Sequence, residues 1–454
     1  MRKTLLIALV LPLSCGESHD TSSTGSGTGG AQSVAGSAGH AGLTGAGAAA
    51  GSSSGGSSSD GSSSGGSSSG GFTASITGQA GAIGCPAQLP AATTFDNNAS
   101  TSWIQIQGDP AGSEIGTFDP SVRRASDGSM VMSYSSVNLA RNRIHTRIAV
   151  STDGVTFTYV AAANHVVENV DISATGDSDC PSGTCSGVNL AHETSALVED
   201  PTDADPNARW KVFTHRYVIL KNPLDPNSPV LRYAYGYISR VAAPSPEGPW
   251  SEEIPVIGWQ SNSPISSTAP TLVSGLDGMQ DCVTLTEPSA IVESTTGALE
   301  LAVGCVFLQK GVGAIRIELL RSADHGRTFT HAHRLLDADD STCLGETEPQ
   351  MNAAHLFDRG GKRYLIATPA GPVVLPGGTA ASAYRGCFVF RRTDGGIERD
   401  SAGAPVVYGR IDPKDGAFAG ACSDIPTGGY VMSALSDTPP YLFRMYGPIG
   451  KNLP

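Results

Sequence analysis

A short phrase recurs along this chain, and a chain that repeats one small unit has few folds open to it. Its clearest form is Leu285-Thr286-Glu287-Pro288-Ser289-Ala290-Ile291-Val292, then a turn at Thr295-Thr296-Gly297 and the apolar run Leu299-Glu300-Leu301-Ala302-Val303. An earlier copy is Phe118-Asp119-Pro120-Ser121-Val122, followed by Asp127-Gly128 and Met130-Val131-Met132-Ser133-Tyr134. Another is His192-Glu193-Thr194-Ser195-Ala196-Leu197-Val198, with Arg209-Trp210-Lys211-Val212-Phe213 behind it. A fourth is Thr347-Glu348-Pro349-Gln350-Met351-Asn352, and a fainter fifth is Cys422-Ser423-Asp424-Ile425-Pro426. Each copy is an acid, a β-prone segment, a turn and a second β-prone segment. A unit of this size cannot bury its own apolar face, so its copies must stack or close radially.

The second halves recur as well. Ile144 to Val150 precedes Ser151-Thr152-Asp153-Gly154, and Ile315 to Leu320 precedes Ser322-Ala323-Asp324-His325-Gly326. Asp-Gly and Asp-x-Gly between alternating strands are hairpin signals. Each unit therefore reads as a four-stranded antiparallel blade. The fifth copy runs out after Tyr441-Leu442-Phe443-Arg444-Met445, so its fourth strand is expected from upstream, around Trp103-Ile104-Gln105-Ile106. The expected fold is all-β: a five-bladed β-propeller, with six blades as the rival because the second copy is long.

The chain before the repeats has another character. Met1-Arg2-Lys3 and the apolar run Leu5 to Leu13 predict a secretory signal, too short to span a membrane. Small residues before Cys15 resemble the bacterial lipoprotein processing site, which implies lipidation of Cys15; signal cleavage without lipidation is the alternative. Residues 16–71 are Gly, Ser, Ala and Thr almost throughout, too poor in apolar surface to offset ordering entropy. They read as a disordered tether of roughly 40 Å. The domains expected are thus 1–15, 16–71 and the propeller over 72–454.

A formal charge of −13 argues against nucleic acid or anionic lipid as a partner of the domain. Membrane contact is expected only through a lipid anchor, and the protein is expected to be monomeric. Setting Cys15 aside leaves Cys85, Cys180, Cys185, Cys282, Cys305, Cys343, Cys387 and Cys422, an even number that favours disulfides in an exported chain. Proximity pairs Cys180–Cys185, Cys282–Cys305 and Cys343–Cys387, leaving Cys85–Cys422 to join the ends of the domain.

Two resemblances follow from these phrases. Ser322-x-Asp324-x-Gly326-x-Thr328-Phe329 resembles the Asp-box of sialidases and other propellers, a marker of fold and not of chemistry. Asp119-Pro120-Ser121-Val122 and Ser245-Pro246-Glu247-Gly248-Pro249-Trp250 resemble phrases of five-bladed glycoside hydrolases, notably family 43. That likeness implies Asp119 as general base, Glu193 as the acid that tunes pKa and orients, and Glu287 as general acid. It implies a carbohydrate substrate and no required cofactor. Hard oxygen ligands leave a Ca²⁺ ion in the channel open. Glu348, His192, His215 and Arg216 are candidate substrate-binding residues, and Asp424 is a fifth axial acid.

Two other functions compete. A non-catalytic propeller would bind glycan or protein through exposed aromatics such as Trp210 or Trp250. A sialidase would need an arginine cluster, for which Arg147, Arg216, Arg316 and Arg363 are available. An acid before proline can also simply cap a turn. Recurrence of the acid at the head of each unit is what weighs against that plainer role.

Overall fold

The computed structural model describes residue 85, residues 89–95 and residues 103–450, apart from 141, 165–166, 169, 171–188, 221–229, 260–267, 294–295, 347, 375–379, 385, 414–418 and 436–441. The export signal, Cys15, the tether and the Cys180–Cys185 pair lie outside these residues. Among the described residues no helix is long and apolar enough to cross a membrane.

The strands fall into five antiparallel units. The first holds β1 (Gly116–Arg124), β2 (Met130–Val137), β3 (Ile144–Ser151) and β4 (Phe157–Ala162). The second holds β5 (Asn189–Glu199), β6 (Trp210–Leu220), β7 (Val230–Ala243) and β8 (Ile254–Gly258). The third holds β9 (Thr284–Val292), β10 (Leu299–Gln309), β11 (Val312–Ser322) and β12 (Thr330–Leu336). A helical turn, α1 (Asp340–Cys343), leads to the fourth: β13 (Met351–Arg359), β14 (Lys362–Val374), β15 (Cys387–Thr393) and β16 (Val407–Pro413). The fifth holds β17 (Ala419–Asp424), β18 (Tyr430–Leu435) and β19 (Phe443–Ile449). The first strands β1, β5, β9, β13 and β17 touch one another in cyclic order and return to β1. The fold is a β-propeller.

Alternation builds it. Side chains along a strand point to opposite faces, and here both faces are buried against neighbours. Leu301 and Val303 of β10 pack with Ala196, Phe213 and Ile238 of the second unit. Ala302 between them packs with Met351, Leu356 and Phe388 of the fourth. Phe357, Tyr364 and Ile366 then meet Tyr430, Met432 and Tyr446 of the fifth unit. Ile425 and Val431 meet Val122, Met130 and Met132 of the first, and Val131 and Ile148 meet Leu197, Trp210 and Val212 of the second. The core is thus a ring of wedges between sheets. Trp210 is 3% exposed and belongs to one of these wedges, which removes it as a surface anchor.

The seam closes where the upstream segment reaches the last strand. Trp103 bridges Tyr446 antiparallel, and the Ile104 N–H donates to the Met445 carbonyl at 2.8 Å. Ile106 and Gln107 turn instead to β4, pairing parallel with Phe157 and Thr158. On the other side β19 meets β1 at Phe443 and Gly116. A Cβ on Gly116 would come within 1.9 Å of the Phe443 carbonyl oxygen, so only glycine fits that crossing.

The disulfides correct two of the expected pairings. Cys282–Cys305 forms as expected, but Cys85 bonds Cys343 and Cys387 bonds Cys422. Closeness in sequence misleads in a radial fold, because β15 of one unit lies against β17 of the next. The Cys387–Cys422 bond laces those units together.

One end of the axis is filled by Arg123, from the end of β1. Its guanidinium donates to the Ala290 carbonyl at 2.7 Å, the Leu356 carbonyl at 3.1 Å and its neighbour Val122 at 3.0 Å, and lies 3.2 Å from His355 Nε2. It thereby ties the first unit to the third and fourth. Arg124, its neighbour, is exposed. Buried acceptors left unpaired cost about 1–3 kcal/mol each. Arg123→Met is therefore expected to lower stability by about 2–4 kcal/mol, read as a shift of the urea midpoint. An unchanged midpoint would show that the axis does not depend on this side chain.

Candidate active site

All five inner strands break their ladder at the same level. The pairing jumps between Phe118 and Ser121 in β1, Glu193 and Ser195 in β5, and Thr286 and Ser289 in β9. It jumps between Asn352 and His355 in β13 and between Ala419 and Cys422 in β17. These are β-bulges, which bend a strand and re-aim a side chain. At the bulge sit Asp119 (φ 54°), Thr194 (φ 46°), Glu287 (φ 49°) and Ala353 (φ 49°), all left-handed, with Gly420 at the matching place in β17. Left-handed backbone is uncommon outside glycine and is stored at functional sites. Pro120 and Pro288 follow two of these residues, where the interrupted ladder has no need of an N–H.

The bulges bring Asp119, Glu193 and Glu287 into one electrostatic group. Asp119 is 6% exposed and Glu287 7%. Burial pushes the Asp119 carboxyl well above the usual carboxylate range, and the charges of Glu193 and Glu287 add to the rise. Opposing them, Thr194 Oγ1 donates to Asp119 Oδ2 at 3.0 Å. Glu193 is pushed up to about 8 by burial; the Tyr217 hydroxyl pulls it down and the Glu287 charge pushes it up. Glu287 Oε2 accepts the Ala353 N–H at 2.5 Å, a bond across the third and fourth units.

The register corrects how the repeats align. Glu193 stands one residue before the bulge and pairs with His215, so Thr194, not Glu193, matches Asp119 and Glu287. Glu348 lies ahead of β13, its carbonyl accepting from Ser341 Oγ at 2.5 Å; Ala353 takes the bulge in that unit. Asp424 is four residues beyond Gly420, towards Arg123. It holds His355 Nε2 at 3.1 Å and Arg359 at 3.5 Å, so it is not a fifth member of the acid group.

The proposed sugar-binding residues of the second unit are interior. His192, His215 and Arg216 are 0%, 1% and 1% exposed. Arg216 contacts His192 and pairs with Glu253 at 2.6 Å, on the other face of the sheet from Glu193. His215 stands behind Glu193 with its ring 5.0 Å from that of Tyr217, and burial lowers its pKa to about 3. All three side chains are thus packed inside the second unit.

Two side-chain groups among the described residues have the spacing of metal ligands, and neither joins the acid group. In Asp281, Cys282 and Cys305 the cysteines form a disulfide. In Asp200, Asp203 and His325 the Lys211 ammonium already sits 2.9 and 3.1 Å from the two carboxylates, where a cation would go.

No protein-family model and no curated protein matches this chain. Among solved structures it is similar to a protein of unknown function from Dyadobacter fermentans, at 12% identity over 77% of this chain and 82% of that one, with a TM-score of 0.40. It is similar to a thermostable family-43 glycoside hydrolase at 13% identity, covering 77% and 98%, with a TM-score of 0.40. An endo-arabinase from Bacteroides thetaiotaomicron gives 12% identity, 77% and 99%, and a TM-score of 0.39.

The raised pKa of Glu193 carries a stability consequence. Between its ordinary value of 4.5 and about 8, the folded protein keeps a proton that the unfolded chain releases. Stability therefore falls as pH rises through that window. Glu193→Gln removes the titration, so its Tm relative to wild type is expected to climb between pH 4.5 and 8, by about 3–6 °C. A difference that stays flat with pH would mean that Glu193 ionises freely in the fold.

Proposed function

We propose that the protein is a glycoside hydrolase built as a five-bladed ring, cleaving a polysaccharide or oligosaccharide with carboxylates at the axis. The single observation that carries the reading is the convergence of Asp119, Glu193 and Glu287, from three successive inner strands, into one desolvated group. Glycoside hydrolysis needs one carboxyl that holds a proton and one that gives it up, across the scissile bond. Burial and like charge raise both Asp119 and Glu193 above the usual carboxylate range, so this group holds protons where free carboxyls do not.

In this reading Glu287, on the bulge of the third unit with its Oε2 fixed by the Ala353 amide, is the general acid. Asp119, on the bulge of the first unit, is the general base. Glu193 tunes both by its charge state, which is set near neutrality. This chemistry requires no cofactor. The N-terminal residues would export the protein and hold it at a surface through Cys15, with the Gly/Ser segment as spacer.

The sialidase alternative draws no support from the arginines. Arg147 is committed to Asp109 at 2.9 Å, Arg316 to Asp281 at 2.7 Å, Arg216 to Glu253, and Arg363 to Asp394, in separate units.

The test is sugar release by the disulfide-bonded full chain from a panel of polysaccharides and aryl glycosides. Asp119→Asn and Glu287→Gln are each expected to lower kcat by about 10²–10⁴-fold with the fold intact. Release that survives both changes would overturn the assignment. Glycan binding without release by wild type would make the protein a binding propeller.

A further inference from the structure

Thr194 has no role in the chemistry outlined so far, yet its surroundings hold it on several sides. It is a β-branched residue held at φ 46°, a conformation that such side chains rarely adopt. Its backbone N–H donates to Ser135 Oγ at 3.0 Å, and the next residue's hydroxyl, Ser195 Oγ, reaches Ser133 Oγ at 2.7 Å. Both acceptors lie on β2 of the first unit. The bulge of β5 is thereby pinned onto its neighbour on both sides of Thr194, and the side chain left over points its hydroxyl at Asp119. Strain of this kind persists only where the surroundings impose it, and it runs from observation to function.

Asp119 shows the other half of the arrangement. Its own N–H is taken by Ser433 Oγ at 3.2 Å, from β18. Thr194 is the side-chain donor on its carboxylate among the described residues, and it meets Oδ2 alone. The charged groups that face this carboxylate are Glu193 from β5 and Glu287 from β9, both repelling its charge. The Tyr217 hydroxyl on β6 is turned to Glu193 and so acts on Asp119 only through it.

We propose that Thr194 is a positioning residue of the axial site: its hydroxyl anchors Asp119 Oδ2, so that Oδ1 is the oxygen presented to the ligand. The role rests on the reading of Asp119 as general base. It adds a residue that keeps this carboxylate both oriented and able to ionise among two like charges. Serine in the same place would keep the donor; valine would keep the shape and lose it.

The experiment compares Thr194→Val and Thr194→Ser with wild type as disulfide-bonded full chains, by thermal melts from pH 4 upward until the wild-type Asp119 contribution, read as the pH-dependent difference from Asp119→Asn, is complete. Each is made both alone and together with Asp119→Asn. Without the hydroxyl, Asp119 becomes harder to ionise in the fold, so stability is lost over the pH range in which wild-type Asp119 ionises in the folded protein and the variant does not. The Tm deficit of Thr194→Val is expected to widen with rising pH by about 2 °C or more. Thr194→Ser should track wild type, and the widening should vanish in the Asp119→Asn background. A deficit equal at every pH, or one that widens just as much with Asp119→Asn, would overturn the proposal, since a packing role in β5 gives that result. Sugar release is read on the same proteins. With an active wild type, the acid limb of kcat/KM should move to higher pH in Thr194→Val and return in Thr194→Ser; an unmoved limb would overturn the proposal. A widening deficit with no release on any substrate would sink the hydrolase reading and leave the Thr194–Asp119 anchor standing.

Discussion

The interruption of every inner strand is the constraint on which the rest of this structure depends. Each of the five inner strands bulges, and each bulge takes backbone groups out of their own ladder. Neighbouring units supply the partners: Ser433 takes the Asp119 N–H, Ser135 the Thr194 N–H and Glu287 the Ala353 N–H. One step along, Ser121 takes the Leu197 N–H, Ser289 the Leu356 N–H and Ser423 the Val122 N–H. Each bond is worth about 1 kcal/mol net, but an unmet buried N–H costs more than that. Hydroxyls on the first and second strands are therefore structural necessities, and the units hold each other by side chain to backbone as well as by apolar wedges.

The same crowding makes the chemistry. Carboxyls delivered by bulges lie among other strands and away from water, and each charge in the group opposes the next. Glu193 at about 8 and the raised Asp119 are the result. Local donors work against this rise: Thr194 on Asp119 and Tyr217 on Glu193. The site is a balance between desolvation and a few hydroxyls, so single hydroxyl changes reach the acids although they touch no ligand.

The two ends of the axis are differently equipped. At the acid level the charges are alike. Towards the other end Arg123, His355, Asp424 and Arg359 form a mixed-charge network bridging four of the five units. The hairpins at Ser151 and Ser322 are locked by their own aspartates, Asp153 and Asp324, which accept from the backbone of the turn. Those acids are consumed by structure, and this separates them physically from Asp119 and Glu193.

The repeat, the alternation and the hairpin turns were legible in the sequence, because each is local. Leu301 and Val303 against Ala302 already declare two buried faces, and Pro120 and Pro288 mark the acids that precede them. Parity across a bulge was not legible. One extra residue in a strand turns its neighbour to the other face, so Glu193 looked equivalent to Asp119 when Thr194 is. Glu348-Pro349 copied the acid-proline phrase without reaching the strand, and Asp424 lay too far along its own. The cysteine partners were hidden for a related reason, since a radial array brings together segments that sequence distance keeps apart. Local hydrogen bonding and hydrophobic periodicity belong to the chain alone. Which side chain meets which across the axis depends on register between units, and only the closed ring sets that.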